Sequence, residues 1–272
     1  MMNNSQLSKS HLFDFYKNLP SVESFEYALM EQLIAFADSK HDHLALNGAY
    51  QISEQRALSE GDLKQLDQFY GRYRKKYGLA ILEQHVEALE KLLLELGLKR
   101  SEKVNVGIGI ELQNKEFSSC DQAVLVENEI LNSEFFRVMC ESFGMPADLG
   151  ERFDVAFYNN PQLTNYNYLY REAEKGEFVA MANLCVNPKL PEVGVLAGAA
   201  VTEKYRHRGI YTQLLDHRLL EAKKNGVKYV VMMSTEASSY QPAIKFGFQD
   251  LGARFLNYEK MWRIFLDILD HT

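Results

Sequence analysis

Val201-Thr202-Glu203-Lys204-Tyr205-Arg206-His207-Arg208-Gly209-Ile210-Tyr211 stands between an apolar run and a long helical pattern. Upstream, residues 193–201 read as one buried strand. Downstream, Leu214, Leu215, Leu219 and Ala222 share one side of a helix over residues 210–225, and Asn225-Gly226 is its stop. A turn from strand into helix leaves backbone N–H groups unpaired, with the positive end of the helix dipole beside them. Arg206 and Arg208 add two cations, and Gly209 lets a ligand approach the backbone closely. Together these features suit a phosphate or pyrophosphate. The same residues also fit a surface loop that carries two solvated arginines.

Working outward, residues 227–233 read as a buried strand and 238–246 as a short helix ended by Gly247. Residues 248–251 and 253–261 read as two closing strands, and 262–269 as a short amphipathic tail. On the other side come a strand at 123–126, a helix carrying Phe135, Val138, Met139 and Phe143, and a second helix at 149–157. Strands at 166–171 and 178–186 follow, with Lys175-Gly176 as the turn between them. This order is β-α-α-β-β-β, a mixed α/β sheet. The first half opens with a helix at 25–37 and a strand at 43–52. Ser59 and Asp62 have the spacing of a capping box before a helical stripe, and a strand at 78–82 follows. Val86, Leu89, Leu92, Leu93 and Leu96 form the next helix, ended by Gly97, and 103–112 alternates as a half-buried strand. Residues 43–112 therefore read β-α-β-α-β with a core of their own, and the polar break at 114–119 is the boundary.

The 272 residues are 46% hydrophobic and 25% charged, which excludes wholesale disorder, a collagen-like repeat and a disulfide scaffold. Thirty basic against 37 acidic residues leave a net charge of −7, whose field opposes nucleic acid. The basic cluster Arg72, Arg74, Lys75 and Lys76 is too short to change that. Cys120, Cys140 and Cys185 form no CxxC pair and read as reduced thiols. The N-terminus lacks the apolar core of a signal peptide. The longest uncharged apolar stretch, 194–201, falls far short of the ~20 residues that span a bilayer. The expectation is a soluble cytoplasmic protein with neither nucleic acid nor membrane as partner. No His, Cys and Asp cluster has metal-ligand spacing, so no metal is expected.

The order of strand, Arg-x-x-Gly turn, long helix, buried strand and Gly-Phe close resembles the GNAT superfamily of acyl-CoA-dependent N-acetyltransferases. The family signature, Arg/Gln-x-x-Gly-x-Gly/Ala, is matched by Arg206-His207-Arg208-Gly209-Ile210-Tyr211, except that Tyr211 replaces the small residue. Pro242-Ala243-Ile244-Lys245-Phe246-Gly247-Phe248 is similar to the family's Tyr-x-x-x-Gly-Phe, with Ala243 in place of the tyrosine often used as general acid. The resemblance covers about residues 120–261; the first half looks like an incomplete second GNAT-like lobe without an Arg-x-x-Gly turn. It implies a mixed, mostly antiparallel GNAT-type sheet flanked by helices in residues 120–272, preceded by the smaller β-α-β-α-β lobe in 1–115.

The resemblance further implies acetyl-CoA as co-substrate, an unidentified amine acceptor and direct transfer without a covalent intermediate. Backbone groups of Ala199, Ala200 and Val201 would hold the pantetheine arm. The N–H groups of Arg206, His207, Arg208, Gly209, Ile210 and Tyr211, with the Thr212 hydroxyl, would hold the pyrophosphate. Glu192 and Glu236 are the carboxylates nearest the expected acyl site, and Tyr240 is the candidate acid for the departing thiolate. The alternative is a non-catalytic GNAT fold that holds CoA, or no ligand, and works through protein contacts.

Overall fold

The computed structural model describes residues 7–18, 25–38, 41, 43–73, 75–153 and 158–260. In chain order it begins with helix α1 (Lys9–Lys17) and strands β1 (Phe25–Leu29), β2 (Leu33–Asp38) and β3 (Asn47–Gln51). Helix α2 (Glu60–Gly71), strand β4 (Tyr77–Leu82), short helices α3 (Glu83–Val86) and α4 (Glu90–Glu95) and strand β5 (Leu98–Glu111) follow. Next come β6 (Ala123–Leu125), α5 (Glu129–Phe143), α6 (Gly150–Phe153), β7 (Thr164–Arg171) and β8 (Phe178–Val186). The chain continues with β9 (Val193–Val195), β10 (Ala199–Val201), α7 (Ile210–Lys224), β11 (Tyr229–Thr235), α8 (Gln241–Phe246) and β12 (Gln249–Lys260).

These elements form two compact units, Met1–Val22 with Val106–Ala253 and Glu23–Asn105 with Arg254–Thr272. The division expected at 1–115 and 120–272 cuts across both. Helix α1 packs on β9 and β11, and the C-terminal half of β12 pairs with β4.

In the unit built on 23–105, β1, β2 and β3 pair antiparallel, β3 pairs parallel with β4, and β4 pairs antiparallel with β12. Leu63, Leu66, Phe69 and Tyr70 of α2 join the core of this unit. The Tyr70 ring stacks on Tyr77 at 4.1 Å, and its hydroxyl donates to Phe36 O at 3.1 Å. The expected capping box forms: Asp62 N donates to Ser59 Oγ at 3.2 Å, and Ser59 N to Asp62 Oδ2 at 2.7 Å. The helix expected at 25–37 is instead the β1–β2 hairpin. All six residues of β2 are buried, so its apolar run lacks the alternation that marks a half-buried strand. The strand expected at 43–52 begins only at β3, after a 3₁₀ turn (Leu44–Leu46), and the next expected helix is broken into α3 and α4.

In the other unit the strand order is β5-β11-β9-β8-β7-β6, with β10 also on β8. Only β9 with β11 is recorded as parallel there; β6 with β7, β7 with β8, and β8 with both β9 and β10 are antiparallel. Met181 of β8 lies in the cluster around α5, while Ala180 and Ala182 lie in the cluster around α7. Successive strand residues point to opposite faces, so the two helices flank the sheet. Asn128 caps α5 by accepting from Leu131 N at 3.0 Å, and Gly144 ends it at φ +64°. This is the mixed, mostly antiparallel sheet flanked by helices that the resemblance implies.

Three local expectations change in this unit. Residues 193–201 are two strands rather than one. The two closing strands are the single strand β12, which passes through Gly252 at φ +70°. Of the helix expected at 149–157, α6 is described and 154–157 lie outside the described residues, as does the tail at 262–269. All three cysteines are buried, unpaired thiols. Among the described residues no helix is long and apolar enough to cross a membrane.

Candidate active site

The break in residues 193–201 makes the site. Strand β9 runs parallel to β11, with Tyr229 opposite Val193, Val230 opposite Gly194 and Val231 opposite Val195. Leu196 N donates to Val231 O at 3.1 Å, and there the ladder ends. Beyond it β10 pairs with β8 alone, Ala199 opposite Ala182, while β11 continues to Thr235. Gly198 turns the chain at φ +123°, a region that favours glycine. A Cβ at Gly198 would lie 2.5 Å from the Tyr158 hydroxyl oxygen. That hydroxyl donates to Ala197 O at 3.0 Å, and its ring is wedged against Phe135 and Phe136. Between the parted strands is a cleft of about 200 Å³, with Leu196, Gly198 and Ala199 on one arm and Met232, Met233 and Thr235 on the other.

The turn after β10 is held by its own side chains. Arg206 Nε donates to Val201 O at 3.0 Å and its Nη2 to Ser142 O at 3.3 Å. The Arg208 guanidinium lies 4.9 Å above the Tyr205 ring and donates to Lys204 O at 3.4 Å. His207 and Gly209 are both left-handed, at φ +64° and +78°. Helix α7 starts at once, and its N-cap, Gly209, has no side chain to satisfy the first turn. Among the described residues the N–H groups of 207–212 donate to no protein acceptor; the first that does is Gln213 N, to Gly209 O at 3.1 Å. A Cβ at Gly209 would meet only Gln213 Nε2, at 3.9 Å, so the space beside the turn is open. Free N–H groups, about half a positive charge from the helix and two arginines fit a pyrophosphate. Tyr211 does not cover this space. It packs against the core around Leu215 and Phe248 and lines the cleft, where burial pushes its phenol pKa up.

The site thus brings together the turn at 206–212 with the cleft beside Ala199. It does not bring Glu192, Glu236 or Tyr240 into the cleft lining. Glu192 precedes β9 at the end where the strands are still paired, about 13 Å along the strand from Leu196. Its backbone O accepts from Lys228 N and Tyr229 N, and its exposed carboxylate is 3.1 Å from Lys228 Nζ. Glu236 opens an exposed π-helical turn (Glu236–Tyr240) after β11. The Tyr240 hydroxyl donates to Asp250 Oδ2 at 2.9 Å. Ser238 and Ser239 of the same turn do line the cleft, and Ser239 Oγ accepts from Thr235 N at 3.1 Å. Ala243 is fully buried in the core beside them.

The charged residue of the lining is not among the sequence candidates. Arg218 lies on the buried face of α7 with Leu214, Leu215, Leu219 and Ala222. The signal was present: four residues after Leu214, a charge falls on a stripe that must face the core. Burial pulls the guanidinium down to about 10, which leaves it cationic at neutral pH. Among the described residues no group of His, Cys, Asp and Glu is arranged to hold a metal ion.

The sequence model of the acetyltransferase (GNAT) family matches residues 131–252, from α5 into β12. No curated protein matches the chain. Among solved structures, a GCN5-related N-acetyltransferase from Kribbella flavida superposes with a TM-score of 0.66 at 12% identity, over 94% of this chain and 96% of that one. A GCN5-related N-acetyltransferase from Sphaerobacter thermophilus gives 0.60 at 15% identity, over 86% and 81%. A tandem GNAT protein from the clavulanic acid biosynthesis pathway gives 0.59 at 9% identity, over 91% and 86%. At these identities the likeness is one of fold.

Proposed function

We propose that the chain, whose residues 131–252 match the acetyltransferase (GNAT) family, transfers an acetyl group from acetyl-CoA directly to an amine nitrogen. One observation carries the reading: the parted strands and the turn of free N–H groups meet at the head of the same helix. The turn at 206–212 takes the pyrophosphate. The edge of Ala199, Ala200 and Val201 that faces away from β8 takes the pantetheine arm, as a further strand would. Acetyl-CoA supplies the activated thioester. We give residues 23–105 no ligand.

In the transfer the amine nitrogen bonds to the acyl carbon and the carbon–sulfur bond breaks. One proton leaves nitrogen and one reaches sulfur. The amine must arrive neutral to attack. Glu236 stands between the lining residues Thr235 and Ser238, and we assign it the nitrogen proton by way of water. Glu192 is the second candidate, at the closed end of the strands. Tyr240 has its hydroxyl on Asp250, so we assign the sulfur proton to water in the cleft. The second reading is a module that holds CoA without turnover. It draws on Ala243 and on the lack of a carboxylate among the residues lining the cleft. A screen of amines with acetyl-CoA, following free thiol, separates the two. Thiol release that requires an amine supports transfer; tight CoA binding with no release from any amine refutes it.

A further inference from the structure

Arg218 is 1% exposed and lines the cleft. Its Nε donates to Leu214 O at 3.2 Å, and its Nη1 to Asn183 O at 2.9 Å and Gly198 O at 3.5 Å. All three acceptors are neutral carbonyls. Among the described residues Nη2 has no acceptor, and no carboxylate pairs with the guanidinium. Glu221, one turn on, is held by Lys224 at 2.7 Å. The phenols of Tyr158, Tyr168 and Tyr211 face the charge, and burial raises the pKa of each, so they remain neutral. A lone cation is the most costly side chain that an interior can hold, and loss of its partner is what makes it so.

Its position separates it from the pyrophosphate turn. Arg218 is eight residues into α7 from Ile210, about 12 Å along the helix axis. It donates to Gly198 where the strands part, at the inner end of the cleft. With Nε and Nη1 held by carbonyls, Nη2 is left to give a charge-assisted hydrogen bond to a carboxylate oxygen. Tyr211, seven residues earlier on the same face, adds a neutral hydroxyl with no partner among the described residues. The cleft, about 200 Å³, has room for a short chain ending in a carboxylate.

We propose that Arg218, with the Tyr211 hydroxyl, binds a carboxylate carried by one of the two substrates, either the amine acceptor or the acyl group. The proposal rests on the acyl-transfer reading and names the substrate class for the same cleft. Two matched pairs distinguish the sources, each followed by thiol release. The acceptor arm compares amino acids with their carboxamides, using acetyl-CoA. The acyl arm compares succinyl-CoA with butyryl-CoA, using one neutral amine. In one arm the carboxylate member leads by about tenfold or more in kcat/KM, and the lead shrinks below about threefold in Arg218→Met. Equal rates in both arms, or a lead that survives the substitution, overturn the proposal. A uniform slowing of both members with the lead intact assigns Arg218 to the Asn183 and Gly198 carbonyls alone. Should Arg218→Met fail to fold, Arg218→Lys keeps the charge and loses the Nη2 donor that the carbonyls hold in place, and the lead is expected to fall there too; an unchanged lead overturns the role of Nη2. A binding test needs no turnover. Calorimetry of the unmodified protein is expected to show binding of succinate and none of its diamide. Absence of succinate binding overturns the carboxylate site. Succinate binding without thiol release from any pair refutes acyl transfer and leaves the site standing.

Discussion

Gly198→Ala tests whether the parted strands depend on one missing side chain. The added carbon would fall 2.5 Å from the Tyr158 oxygen, closer than the 3.0 Å that real Cβ contacts respect. The residue would also hold φ at +123°, a strain of about 1–3 kcal/mol outside glycine. Moving Tyr158 aside strips Ala197 O of its donor, a further loss of about 1–3 kcal/mol. The sum, roughly 2–6 kcal/mol, should lower Tm by about 5–20 °C for a unit of this size. The clash can be separated from the strain. In Tyr158→Phe the oxygen is gone, and the nearest remaining ring atom is 3.6 Å from the new carbon, an ordinary contact. The double variant should therefore lose about 1–3 kcal/mol less than the sum of the two single variants. Circular dichroism melts of the four proteins give the cycle. A Gly198→Ala protein that melts with the unmodified chain, or a strictly additive double variant, would refute the reasoning.

Four further outcomes are expected. Gly209→Val makes no clash, its Cβ meeting only Gln213 at 3.9 Å, but it strains the backbone at φ +78° by about 1–3 kcal/mol; calorimetry on the folded variant should show acetyl-CoA affinity reduced about tenfold or more, and unchanged affinity removes the turn from the pyrophosphate site. Tyr240→Phe should keep kcat within about threefold, whereas a fall of about tenfold or more at intact acetyl-CoA affinity would place the sulfur proton on Tyr240. Ala243→Tyr should be destabilised by about 2 kcal/mol or more through overpacking, and a variant as stable as the parent and faster would show that the site accepts the ring. Asp62 is pulled to about 2, first by the Arg56 guanidinium 2.6 Å away and then by Ser59. A depressed carboxyl contributes fully above its unfolded value near about 4 and loses that contribution as pH falls through about 2. Urea melts across that window should therefore depend less on pH in Asp62→Asn than in the parent.

Elements with a single buried face were legible in the sequence. Helix α2 announced itself through Ser59 and Asp62, and α5 through Phe135, Val138 and Met139; β8, buried on both faces, was legible only through the Lys175-Gly176 turn before it. Where burial was total, periodicity failed, and β2 passed for part of a helix. The phosphate turn was readable because its chemistry is local to Arg206-His207-Arg208-Gly209. The cleft was not, because the contact that opens it joins Gly198 to Tyr158, forty residues upstream. Gly198 inside an apolar strand was the available hint of a bend. The burial of Arg218 was legible from its place on α7's apolar stripe, but its partners were not, because they come from β8 and the bend at Gly198.

The buried cysteines bear on how this protein is measured. Cys120 precedes β6, Cys140 lies on α5 and Cys185 on β8, and burial pushes the Cys185 thiol up to about 12 and the Cys140 thiol upward as well. The thiolate is the form that reacts with thiol reagents. A disulfide reagent added to the folded protein therefore reports released CoA above a slow protein background. In denaturant the same three groups become a labelling clock. Each reacts only when its own element opens, and residues 23–105 contain no cysteine to add signal. Timed labelling thus reads the opening of the acyl-transfer unit alone, site by site, in the native sequence.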